Sequence, residues 1–200
     1  LLTVAELLLA PVATTFMGKG SFPEIHPLSL GNIGMHGNPL ANKMLLEADV
    51  LLAVGTRFAD RATGNLDSFC PEAKKIHIDI DAAEIGKNIE VDVPIVADAK
   101  QALSAIYERL IKQVKKRTDS PWLQRISEAR KLLNPPEKAE DCELKPKRLL
   151  QALRKLLPES AIVTTEVGQN QMWAALYFKA LKPRTFISSG GLGTMGFGFP

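Results

Sequence analysis

Apolar residues recur along this chain with two different periods. Short runs rich in Val and Ile at Pro11–Thr15, Val50–Val54, Ile76–Ile80 and Val93–Val96 have the length of strands. Each is followed by a loop or an amphipathic stretch, which predicts strands alternating with helices. Before Val50, residues Leu40, Met44, Leu45 and Ala48 recur at helical spacing, and after Ala97 the stripe Ala102, Leu103, Ile106, Leu110 and Val114 stands opposite Glu108, Arg109 and Lys112. Such spacing predicts helices that bury one face. The alternation as a whole predicts an α/β domain built on a mainly parallel sheet. Leu1–Leu9 is broken by Glu6 and has no basic lead, so it reads as a helix rather than a secretion signal.

The pattern changes after Val114. Lys115-Lys116-Arg117 leads into Trp122, Ile126, Ala129 and Leu133 at helical spacing, and Asn134-Pro135-Pro136-Glu137-Lys138-Ala139-Glu140-Asp141 then has no period. Residues 116–143 are therefore assigned as a linker between a first domain, 1–115, and a second unit, 144–200. The second unit predicts a helix (Leu149, Leu150, Leu153, Leu156, Leu157), a strand (Ala161–Thr165), a helix (Gln171–Ala180), a strand (Thr185–Ser188) and a glycine loop. Gly198-Phe199-Pro200 stops where a packing helix is expected, so the chain reads as part of a longer protein.

Composition narrows the classes. Two hundred residues suit one domain and part of another, and 46% hydrophobic with 24% charged residues is ordinary for a globular protein. A net charge of +3 spread over 47 charged side chains gives no basic face for nucleic acid. Cys70 and Cys142 lie far apart without a CxxC pair or a His partner, which argues against zinc ribbons and disulfide frameworks. No run approaches the roughly 20 apolar residues of a membrane span.

Candidate chemistry lies at the ends of the strands. In an open parallel sheet, ligands bind outside the carboxyl ends of the strands. Gly55-Thr56-Arg57-Phe58-Ala59-Asp60-Arg61 follows one strand and Asp79-Ile80-Asp81 ends the next. Arg57 and Arg61 could meet a diphosphate and the acidic edge a ribose; a surface ion pair of Arg57 or Arg61 with Asp60, Asp79 or Asp81 fits the same spacing. His36, within Gly31-Asn32-Ile33-Gly34-Met35-His36-Gly37, suits stacking or hydrogen bonding to a cofactor better than metal ligation, or is a plain surface residue; no metal ligand set is assigned. Ser188-Ser189-Gly190-Gly191-Leu192-Gly193-Thr194-Met195-Gly196-Phe197-Gly198 lacks the GK[ST] of a P-loop, yet its bare amides can admit a phosphate or a flat ring. Thr164-Thr165-Glu166-Val167-Gly168-Gln169-Asn170-Gln171 puts another glycine where a strand opens a helix, so two such loops predict a diphosphate cofactor.

These motifs occur in order in a known family. Val12 to Gly20, Ile33 to Gly37, Gly55 to Arg61, His77 to Asp81 with Glu84-Ile85-Gly86-Lys87-Asn88, Glu166 to Gln169, and Ser189 to Gly196 resemble the catalytic subunits of acetolactate synthase (acetohydroxyacid synthase) among the thiamine diphosphate enzymes. The resemblance implies a central FAD-binding, Rossmann-like parallel-sheet domain followed by the start of an α/β domain that binds thiamine diphosphate. It implies that Thr15, Phe16, Ile33, Gly34, Met35, His36, Gly55, Thr56, Arg57, Phe58, Asp79, Ile80 and Asp98 line FAD. Val167, Gly168, Gln169, Asn170, Gly193, Thr194 and Met195 then line thiamine diphosphate, with Met195 and Gln169 as catalytic candidates and Met195 as the wedge under the bent cofactor. Ala59, Ala97 and Asn170 replace a usual Asp, Gly and His.

The implied reaction condenses pyruvate with a second 2-oxo acid, pyruvate or 2-oxobutyrate, with loss of carbon dioxide, in branched-chain amino acid biosynthesis. Magnesium ligands and an activating glutamate are expected outside this stretch, which by itself is then inactive. A homodimer or homotetramer, a small regulatory subunit, a cytoplasmic location, and no nucleic-acid or membrane partner follow from the same resemblance. Pyruvate oxidase, glyoxylate carboligase or a non-catalytic nucleotide-binding domain are the alternatives.

Overall fold

The structure is a computed structural model and describes residues 1–133 and 144–199. Its first region runs α1 (Leu2–Leu8), β1 (Val12–Thr14), β2 (Ser29–Asn32), α2 (Pro39–Leu46), β3 (Val50–Val54), α3 (Asp60–Thr63), a 3-10 turn at Leu66–Ser68, β4 (Lys74–Asp79), β5 (Val93–Val96), α4 (Ala99–Gln113) and α5 (Pro121–Leu133). The second runs α6 (Pro146–Leu156), β6 (Val163–Thr165), α7 (Gln169–Tyr177) and β7 (Phe186–Ser188).

Every strand pairing among the described residues is parallel, in keeping with the apolar runs. β1 pairs with β2, β3–β4–β5 form a second sheet, and β6 pairs with β7. The fold is thus mixed α/β with parallel sheets, but the first region holds two sheets rather than one continuous one. β4 is central, with His77 and Ile78 fully buried, and Pro94 sits on edge strand β5, where its missing amide costs no internal ladder bond. Helix starts carry their own signals. Asn38 accepts from the Leu40 amide at 2.9 Å ahead of Pro39, and Asp98 accepts from the Gln101 amide at 3.0 Å to open α4.

Two features differ from the pattern-based expectation. β2 was not predicted, because Ser29-Leu30-Gly31-Asn32 has no Val or Ile; all four residues are nevertheless buried. The other difference is α5, which lies inside the expected linker 116–143. Its Ile126 and Ala129 are 2% and 1% exposed and share a core with Leu30, Leu40, Ala41 and Met44. Arg125 clasps Glu47 at the end of α2, with Nε at 2.7 Å and Nη2 at 2.6 Å, and its hydrogen bonds hold that carboxyl below the usual carboxylate range. Arg130 donates to the Ser29 carbonyl of β2 at 3.1 Å. The periodic half of that stretch is therefore packed onto the first region, and residues 134–143 of the expected linker, with Cys142, lie outside the described residues.

Candidate functional site

The loops after β2, β3 and β4 come together at the carboxyl ends of the first region's strands. Gly34 has φ +107, and a Cβ there would stand 2.3 Å from the Arg61 carbonyl oxygen. Only glycine lets the two loops touch in this way. The Met35 amide donates to that carbonyl at 2.9 Å, and Asn42 of α2 brackets Gly34, accepting from its amide at 2.9 Å and donating to its carbonyl at 3.0 Å. From the β4 side, the Asn88 side chain donates to the Arg57 carbonyl at 2.8 Å.

This gathering places Ile33, Gly34, Met35, Gly55, Thr56, Arg57, Asp79 and Ile80 around one set of strand ends. Arg57, Arg61, Met35, His36 and Ile80 are exposed. Neither guanidinium pairs with Asp60, Asp79 or Asp81, so the surface ion pair that the spacing allowed does not form. Asp79 accepts from the Asp81 amide at 3.0 Å through one oxygen, while the other lies 3.9 Å from Nε2 of buried His77. Thr15 caps its own turn, accepting from the Gly18 amide at 3.1 Å beside half-buried Phe16. Two expected cofactor-lining side chains are engaged elsewhere. Phe58, at φ 51, packs inward, edge-on to Phe69 and His77 with ring centroids 6.0 and 5.0 Å away, and the Asp98 carboxylate is the α4 cap.

A second gathering lies in the second region, where β6 and β7 end. Thr165 and Ser188 share a hydroxyl hydrogen bond at 2.6 Å, and Gln171 of α7 donates to Ser188 Oγ and to the Ser189 carbonyl, each at 2.8 Å. Glu166 accepts from the Gly196 amide, Thr164 donates to the Gly198 carbonyl at 2.6 Å, and a Cβ on Gly193 would meet Val167 Cγ2 at 3.5 Å. The Val167–Asn170 turn and the Gly190–Gly198 loop are thereby laid side by side. Gln169, Asn170, Thr194 and Met195 are exposed along them, Met195 at 76%. The first turn of α7 offers free amides and the positive end of the helix dipole, and a glycine loop with little side-chain cover lies beside it. That donor set fits a diphosphate.

Asn42 was not singled out in the sequence, and Asn88 and Gln171 stood there only as members of motifs; all three side chains hold these loops in place. Asn42 stands between Ala41 and Lys43 and Asn88 between Lys87 and Ile89, and an amide among apolar and charged neighbours was the available signal. Among the described residues no three His, Cys, Asp or Glu side chains converge as a metal set, and no helix is long and apolar enough to cross a membrane. A hollow of about 400 Å³ between α1 and α4 is lined by Leu103 and Tyr107 and by no residue of either gathering.

Two family models match separate parts of the chain. The family model for the thiamine pyrophosphate enzyme central domain matches residues 1–106, and that for the C-terminal TPP binding domain matches residues 166–200. The whole chain is 53% identical to a probable acetolactate synthase large subunit of Methanocaldococcus jannaschii, covering 35% of it, and 49% identical to one of Methanococcus aeolicus, covering 36%. Over 98% of the chain it is 44% identical to the acetolactate synthase isozyme 3 large subunit of Escherichia coli, covering 34%. The chain thus spans about a third of the length of these curated relatives. Two strand-end gatherings, each within the reach of its own family model, leave one assignment: the chain belongs to the thiamine pyrophosphate enzymes.

Proposed function

We propose that the protein carrying this chain is an acetolactate synthase catalytic subunit, which joins pyruvate to a second 2-oxo acid with loss of carbon dioxide. The observation that carries this reading is the pairing of the Val167–Asn170 turn with the Gly190–Gly198 loop through Glu166 and the Gly196 amide. The names of the relatives support the substrate class. In this reading Val167, Gly168, Gln169 and Asn170 would hold the diphosphate of thiamine diphosphate at the first turn of α7, and Gly193, Thr194 and Met195 would line the rest of the cofactor. When bound, that cofactor supplies an electron sink for decarboxylation. The chain's own part is positional: Glu166 fixes the glycine loop, Gln171 fixes the end of β7, and the exposed apolar Met195 would offer the cofactor an apolar support, a role in which small displacements matter.

The first gathering takes FAD in the same reading, with Arg57 at the diphosphate, Asp79 at the ribose edge and the Gly34 and Gly55 loops at close approach. Thr15, Phe16, Ile33, Met35, His36, Thr56 and Ile80 line the rest, while Phe58 and Asp98 contribute through their backbone. A first domain that takes in α5, a second at 144–200, magnesium at the diphosphate, a homo-oligomer with a small subunit, and a cytoplasmic location complete the proposal. The test is product analysis of the natural protein supplied with pyruvate, thiamine diphosphate, magnesium and FAD. Acetolactate is the expected product; acetate, acetyl phosphate or tartronate semialdehyde in its place would move the protein to another member of the family.

A further inference from the structure

Lysine and glutamate are the side chains least often found inside a protein, and here one of each is buried where the two family domains meet. Lys19 and Glu24 lie on the loop after β1, and their side chains are 1% and 2% exposed. Lys19 Nζ donates to both Glu24 oxygens, at 2.7 and 2.6 Å, and to the carbonyl of Ala175 inside α7 at 2.8 Å. It also stands 5.2 Å from the ring centroid of Phe186 in β7. Glu24 Oε2 accepts from the Ala180 amide at 2.6 Å, and the Glu24 amide donates to the Ala180 carbonyl at 3.1 Å. Gly20, at φ +86, lets the loop close on Ala180 and Lys182, since a Cβ there would already touch both.

A buried ion pair contributes little net stability, because desolvation offsets most of its attraction; its best-attested use is to fix register. Here every outward hydrogen bond of the pair goes to α7 or to the chain just after it. That helix begins at the Gly168–Gln169 turn, so the contact holds its last turn and the chain just after it while leaving its first turn open. Burial lowers the Lys19 pKa and Glu24 opposes that shift, as a paired ammonium requires.

We propose that Lys19 and Glu24 are positioning residues that clamp α7 to the first region and so set where its first turn stands against thiamine diphosphate. The proposal rests on the cofactor reading above. It is tested on the natural protein by calorimetric titration with thiamine diphosphate and magnesium, by flavin titration, and by hydrogen exchange of segment 168–180 without any cofactor. Lys19→Met leaves Glu24 buried without its partner, whereas Lys19→Met/Glu24→Gln removes both charges and keeps an acceptor for the Ala180 amide. The double variant should regain thermal stability lost in Lys19→Met, yet both should bind thiamine diphosphate about tenfold more weakly, exchange faster across 168–180, and hold FAD as before. Milder Glu24→Gln should loosen the same segment. Recovery of thiamine diphosphate affinity in the double variant, or unchanged affinity in Lys19→Met, would overturn the clamp. If the wild type binds no thiamine diphosphate, the cofactor reading falls by itself, and exchange across 168–180 decides the clamp: faster exchange in both Lys19 variants supports it and unchanged exchange overturns it.

Discussion

Replacing Gly34 by alanine attacks the first gathering at its narrowest point. The new Cβ would stand 2.3 Å from the Arg61 carbonyl oxygen and 3.1 Å from Ala62 Cα, both backbone atoms. Real Cβ contacts do not fall below 3.0 Å, so the loops must part by at least 0.7 Å. That stretches the 2.9 Å bond from the Met35 amide to Arg61 past hydrogen-bonding range, at a cost of about 1 kcal/mol. A φ of +107 adds roughly 1–3 kcal/mol for a residue with a Cβ. Together the local destabilisation is about 2–4 kcal/mol, equivalent to roughly 30- to 900-fold in an opening equilibrium. Gly55→Ala is the control: it shares a positive φ, +61, but meets nothing within 4 Å, so only the backbone term of about 1–2 kcal/mol applies. Hydrogen exchange of segment 33–37 in the natural protein reads the difference. Gly34→Ala should lose at least about tenfold in protection and weaken flavin binding, while Gly55→Ala leaves segment 33–37 near wild type. Equal protection in the two variants would refute the argument that close approach, rather than backbone freedom alone, demands a glycine at Gly34.

Two further outcomes are expected. Ile126→Ala should destabilise the first region by about 2–5 kcal/mol, read by denaturant unfolding, because Ile126 lies in the Leu40–Met44 core; a residue of a solvated linker would show no change. Cys70 is fully buried with its thiol donating to the Leu45 carbonyl at 3.0 Å, and burial pushes its pKa up to about 11. The native thiol should resist alkylation near pH ~8, and stability, intact below the unfolded pKa, should fall as pH rises toward the folded one. The loss is about 2–3 kcal/mol and should be absent from Cys70→Ser; a wild type as alkali-stable as that variant would remove the burial argument.

Much of the fold was legible because Val- and Ile-rich runs carry their period in plain view. β2 was not, since Leu30 is its only large apolar residue and neighbours supply the burial. Ile126 and Ala129 announced a helix, but nothing local says which surface a helix covers, and so α5 was counted with the linker. The strand-end glycines announced both gatherings for a similar reason: unusual backbone must be written locally. Phe58 shows the limit, because a motif position fixes where the backbone goes and leaves the ring free to turn into the core. Lys19 and Glu24 were invisible, as charge reads as solvent until a second part of the chain is laid over it.

The docking of α5 also changes how strongly the clamp must hold. Were all thirty residues between Lys116 and Lys145 a free tether, the second region would search a large volume; with α5 anchored, twelve residues separate Leu133 from Pro146. A shorter connection confines the second region more closely to the first, whatever path it takes. The three hydrogen bonds that join Lys19 and Glu24 to Ala175 and Ala180, with Lys19 beside the Phe186 ring, then act on two domains that the chain itself has already brought near.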